Sequence, residues 1–134
     1  MPALRDLGVV SLAIPADPNH VHILRGVAAS VAARLPMSLD DVDDLRLAVD
    51  EAAARLLQLP GGRRLTIEIA ASTDALEVTI ETDADGQRWP GPDVKATLPW
   101  KILAALGDHV AFERREGTAM IRFRKRVTSF EVRV

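Results

Sequence analysis

Two neighbouring segments in the middle of the chain alternate strictly between apolar and polar residues, a period that no helix satisfies. Leu65, Ile67 and Ile69 are interleaved with Thr66 and Glu68, and Leu76, Val78 and Ile80 with Glu77 and Thr79. A period of two places each apolar set on one face of a strand. With Ala71-Ser72-Thr73-Asp74 between them, Arg64–Ala70 and Ala75–Thr82 are predicted to pair as an antiparallel hairpin with one wet face. A second pair follows near the end, His109–Arg115 and Thr118–Val127, joined at Glu116-Gly117. Leu7–Pro15, β-branched and bounded by proline, reads as a further strand ahead of both hairpins.

Between that first strand and the first hairpin the period changes. Asp17 and Pro18 suit the N-cap and first position of a helix. Val21, Leu24, Val27, Ala28, Val31 and Leu35 then recur at helical spacing until Pro36 stops them. Ser38 is the predicted cap of a second helix, with Asp41 at the capping-box position and an acidic cluster at the positive end of the helix dipole. Val42, Leu45, Val49, Ala52, Ala53 and Leu56 form its apolar stripe, and Pro60-Gly61-Gly62 ends it. Asp83–Pro99, rich in Gly, Pro and Asp, is predicted to be a long loop. Leu98–Leu106 follows as a short helix ended by Gly107, and Thr128–Val134 is expected to add an edge strand.

Strands in pairs with helices grouped between them predict an α+β two-layer sandwich, its helices packed on one face of a mostly antiparallel sheet. A doubly wound parallel sheet would need strict alternation of strand and helix. One domain over residues 1–134, with its core at about 7–127, suits the length.

Composition removes several functional classes. The chain has no cysteine, so disulfides, thiolate metal sites and cysteine nucleophiles are all excluded, and a reducing cytoplasmic setting fits. A net charge of −2 argues against broad nucleic-acid binding, which needs many cations facing phosphates. No apolar run approaches the length of a membrane span, and no export pattern opens the sequence. His20 and His22 point about 200° apart on a helix and His109 stands alone, so no metal site is expected.

The stretch Asp41–Leu57, DVDDLRLAVDEAAARLL, resembles the second helix of bacterial anti-sigma factors that share the Bergerat ATP-binding fold with histidine kinases. Ile14-Pro15-Ala16 leading to Leu24-Arg25 resembles that family's opening. Ala105–Val110, then Glu116-Gly117-Thr118 and a basic last strand, resembles its close. The likeness spans about residues 7 to 127 and is nearest the sigma-F type found in mycobacteria. It implies a histidine-kinase-like ATPase fold, a sigma factor of the stress or sporulation type as partner, a STAS-type anti-anti-sigma antagonist that releases it, and a homodimer. Kinase-active members carry on this helix a Glu that acts as general base and, one turn later, an Asn that helps hold Mg²⁺ beside ATP.

Glu51 keeps the first position, but Arg55 stands at the second. A guanidinium offers donors and no lone pair, so it cannot coordinate a cation and would repel one. Arg55 also lies at the right spacing to pair with Glu51, which would weaken that carboxylate as a base. The positions of the family's adenine-gripping Asp-x-Gly-x-Gly hold Thr82, Ala84 and Gly86; sliding by one residue brings Asp83 or Asp85 into reach but breaks strand alternation. No glycine follows Gly91 in the segment where the phosphate-wrapping lid would lie. Gly117-Thr118 matches a late Gly-Thr whose Thr lies near the adenine, and is equally ordinary turn chemistry. The resulting expectation is a binding regulator with a degenerate nucleotide set of Glu51, Arg55, Thr82, Gly86 and Thr118 and no firm cofactor. The rival expectations are an ATP- and Mg²⁺-dependent serine kinase and a sensor of some other small ligand.

Other residues carry two readings each. Arg25 matches a partner-facing position of the family and also suits an ordinary helix surface. Asp41 and Asp44, within the Asp40–Asp44 cluster, could steer a basic partner or simply favour the helix N-terminus. Arg122, Arg124 and Arg126 share one strand face that is wet or guards an edge. Trp100 in its apolar helix suits the core, whereas Trp89 in a Gly/Pro loop is expected to be a displayed partner anchor.

Overall fold

The computed structural model describes residues 6–84 and 88–127. Strand β1 (Asp6–Pro15) is followed by helices α1 (Val21–Ala32) and α2 (Leu39–Leu57), then by strands β2 (Arg64–Ser72) and β3 (Ala75–Thr82). Helix α3 (Leu98–Leu106) and strands β4 (His109–Arg115) and β5 (Thr118–Arg126) complete the order. The strands form a five-stranded antiparallel sheet in the order β1-β2-β3-β5-β4. All three helices pack on one face, as the alternation required.

The register follows the apolar pattern. Leu65, Ile67 and Ile69 of β2 stand beside Thr82, Ile80 and Val78 of β3, and Ile80 and Val78 beside Ile121 and Phe123 of β5. These apolar side chains are buried against Leu24 and Ala28 of α1 and against Leu45, Val49, Ala52 and Leu56 of α2. Ala48 belongs to the α2 stripe as well, while Val42 is only partly buried. The opposite face of the sheet carries Glu68, Glu77, Thr79, Glu113 and Arg122, and among the described residues no helix lies over it.

Local chemistry sets the boundaries. Asp17 caps a single 3-10 turn at Pro18–His20 that precedes α1, its carboxylate accepting from the Asn19 N–H at 2.9 Å. The α-helix proper then ends at Ala32, three residues short of Leu35, in a run of turns that reaches Pro36. Ser38 caps α2 through its hydroxyl, which accepts from the Asp41 N–H at 3.0 Å. Within the predicted loop lies a 3-10 turn, Val94–Ala96, and Thr97 caps α3. Glu116 and Gly117 both have positive φ, 51° and 81°, the conformation a two-residue hairpin of matching twist requires. The expected edge strand at Thr128–Val134 lies outside the described residues. Among those described, no helix is long and apolar enough to cross a membrane.

Candidate functional site

Glu51 and Arg55 sit one turn apart on α2, both half-buried. The expected pair between them does not form. Arg55 lies with its guanidinium carbon 4.9 Å from the centre of the Trp89 ring and its Nη1 3.5 Å from Gln58 Oε1. An exposed ion pair one turn apart contributes only about 0.3–0.5 kcal/mol. A guanidinium over an indole adds stacking to the charge–quadrupole attraction and is worth roughly 0.5–2 kcal/mol, which decides the contest.

Trp89 is correspondingly not a displayed anchor. It is 4% exposed, and its Nε1–H donates to the Glu113 carbonyl at 2.8 Å and the Met120 carbonyl at 3.3 Å. Its ring stacks on Phe112 at 5.2 Å with 8° between planes, and Phe112 meets Trp100 at 5.3 Å and 55°. Lys95 stands 5.8 Å over the Trp100 ring at the far end. Arg55, Trp89, Phe112, Trp100 and Lys95 therefore form one ladder of cations and aromatic rings running from α2 past β4 to α3. The Gly/Pro composition around Trp89 describes a turn, and a turn says nothing about the direction in which its indole packs.

Of the other expected nucleotide residues, Thr82 and Thr118 meet at one polar recess that Arg55 does not line. Thr82 is 2% exposed, and its hydroxyl accepts from the Ala84 N–H at 3.3 Å. Asp83, the substitute offered by a slid register, accepts from the Arg63 and Arg64 N–H groups at 2.8 and 3.0 Å. The Arg63 N–H chiefly, with that of Arg64 beside it, holds the Asp83 carboxyl below the usual aspartate range. Asp83 thus fastens β3 to the start of β2. Thr118 lines a shallow polar recess of about 200 Å³ with Arg64, Thr66, Glu81, Thr82 and Asp83, away from Arg55. Gly86 lies outside the described residues.

These residues do not fit a magnesium-bound nucleotide. The α2 position that should offer a carbonyl oxygen to the metal presents a cation, and the space beside it is filled by an indole. Among the described residues no group of His, Cys, Asp and Glu could hold a metal ion.

The expected partner-facing residues are tied into the scaffold. Arg25 Nη1 lies 2.8 and 3.0 Å from the two carboxylate oxygens of Asp50, linking α1 to α2. Asp41 and Asp44 face Lys125 of β5, whose Nζ lies 3.5 and 3.3 Å from them and donates to the Leu106 carbonyl at 2.9 Å. Arg122 pairs with Glu113 at 3.1 Å on the outer face of the sheet. Asp50, Phe112 and Lys125 are the residues that sequence reasoning passed over.

The match to the family model of the histidine kinase-like ATPase domain covers residues 14–125. The serine-protein kinase RsbW of Bacillus velezensis is 30% identical over 80 residues, covering 57% of this chain and 50% of that protein. The anti-sigma-F factor RsbW of Mycobacterium tuberculosis is 29% identical over 109 residues, covering 79% of this chain and 62% of that one. The crystal structure of the RsbU and RsbW domains of Rv1364c from M. tuberculosis superposes with a TM-score of 0.68 at 14% identity, over 90% of this chain and 32% of that one. This chain belongs to the histidine kinase-like ATPase domain family. It spans half to about three-fifths of the length of the two RsbW proteins.

Proposed function

We propose that the protein acts by binding other proteins: it holds an alternative sigma factor of the stress or sporulation type, and an anti-anti-sigma antagonist of the STAS type competes for it and frees the sigma factor. One observation carries this reading. Arg55 lies against Trp89 at the α2 position that the family resemblance gives to a metal-holding Asn, and a guanidinium cannot hold a cation there. The relative named anti-sigma-F factor, aligned over 79% of this chain, supports the same reading.

In this reading the partner surface includes Arg25, still 41% exposed in its pair with Asp50 between α1 and α2, and, at the other side of α2, Asp44, whose 38% exposed carboxylate can meet a basic group of the partner. A homodimer and a cytoplasmic location, beside the polymerase, belong to the same proposal.

A serine-kinase reading draws on one residue, Glu51, and on the relative named serine-protein kinase. Two measurements separate them. Retrieval of the tagged full chain from its native host should bring down a sigma factor that an added STAS protein displaces, and retrieval without any sigma factor overturns the proposal. Calorimetry with ATP, with and without Mg²⁺, should show no tight metal-dependent binding; such binding with phosphate transfer to the STAS protein installs the kinase reading instead.

A further inference from the structure

Trp89 is held as a ligand is held. A cation lies over its ring, a parallel aromatic ring lies against it, and its single N–H is satisfied by strand carbonyls. These contacts come from α2, from β4 and from the β4–β5 ladder, none of them close to residue 89 in sequence. Stacking supplies the attraction and the directed N–H fixes the orientation, the combination by which proteins seat flat heterocycles.

From these contacts we infer that Trp89 is a resident occupant: its indole fills a slot shaped for a planar aromatic ring, between Arg55 and Phe112, and closes that slot to any free nucleotide. The slot adjoins Arg55, at the α2 position that the family resemblance gives to a metal-holding residue, which is why a nucleotide is the competitor that matters. A tethered ring has an advantage that no free ligand shares. Its effective concentration at the slot is on the order of millimolar or above, so a free base of equal intrinsic affinity is outcompeted at ordinary concentrations. The inference rests on family membership and on the contacts of Trp89; it holds whichever partner the protein grips.

The chain contains two tryptophans, so Trp100→Phe leaves Trp89 as the only indole reporter in the full-length protein. Its emission should be blue-shifted and poorly quenched by acrylamide, and millimolar Mg·ATP should change neither. A red shift or a gain in quenching on adding nucleotide means the ring is displaced, and overturns the proposal. Trp89→Gly should lower Tm by roughly 10 °C or more. Free indole should restore part of that loss in proportion to the logarithm of its concentration while leaving the unmodified protein unmoved. A folded Trp89→Gly protein that indole does not stabilise refutes the slot. Should Trp89→Gly not fold, the Trp100→Phe spectra decide the matter alone.

Discussion

Lys125 and Asp44 are 81 residues apart in the chain, yet their side chains meet at 3.3 Å where α2, α3 and β5 converge. The lysine side chain is 14% exposed, and its ammonium also serves Asp41 and the last carbonyl of α3. It joins the N-terminal turn of one helix, the C-terminal turn of another and a strand, with charges of the sign each terminus favours.

Lys125→Met should therefore lower unfolding free energy by about 1–2 kcal/mol, since it strips charged hydrogen bonds from groups that only partly reach water. Asp44→Asn alone should cost less, near 0.5 kcal/mol, because Asp41 keeps the ammonium paired. In urea unfolding the double variant should show a coupling of about 0.5–1 kcal/mol, and strictly additive losses would disprove the contact.

Gly62 and Gly26 should respond oppositely to alanine. A Cβ on Gly62 would stand 2.8 Å from Thr82 Oγ1 and 3.2 Å from Ala84 Cβ, so Gly62→Ala must push apart the start of β2 and the end of β3. A loss of about 1–3 kcal/mol is expected. Gly26, on an open face of α1, meets nothing within 4 Å. Gly26→Ala should raise stability by roughly 0.5–1 kcal/mol, read from thermal or urea midpoints.

Asp83 predicts an acid limb of stability. Its pKa is lower in the folded chain than in the unfolded one, because the Arg63 and Arg64 N–H groups bind the ionised form. The unfolded state therefore takes up the proton first. The contribution is complete above the unfolded value and drains away as pH falls through the folded one. Urea midpoints followed from about pH 5 down to about pH 2 should show the gap between the natural chain and Asp83→Asn closing as pH drops. A gap that stays constant would contradict the assignment.

Arg55→Asn alone should not create a kinase. It restores the missing carbonyl oxygen, but Trp89 still fills the neighbouring space and Thr82 still stands where an adenine-gripping carboxylate is required. Phosphate transfer to a STAS protein by this single variant would show that the loss lay in one residue.

The elements that repeat a period were legible from residue types alone. β3, β4 and α3 have the limits that alternation, Gly107 and the Glu116-Gly117 turn imply, and Ser38 caps α2 as read. The C-terminal end of α1 was drawn too long, because Val31 and Leu35 keep helical spacing through a stretch of turns. The site was less legible for a definite reason. Spacing on α2 pairs Arg55 with Glu51, but an aromatic ring 34 positions away in the sequence offers a better seat, and nothing local to either residue announces it. Lys125 was hidden in the same way, as one more cation in a basic strand until the helix packing placed two carboxylates before it.

β1 closes onto β2 across both α1 and α2, pairing Pro15 with Arg64 and Val9 with Ala70. The helical pair is thus a loop stitched shut at its base, with no free end. A pull on either helix reaches the sheet at Pro15 and Arg64, which face each other at one end of that ladder. A pull on the chain start instead unzips an edge strand from the irregularity between Asp6 and Val9. A partner seated on α1 and α2 thus bears on a handle whose two feet, Pro15 and Arg64, are neighbours in the sheet.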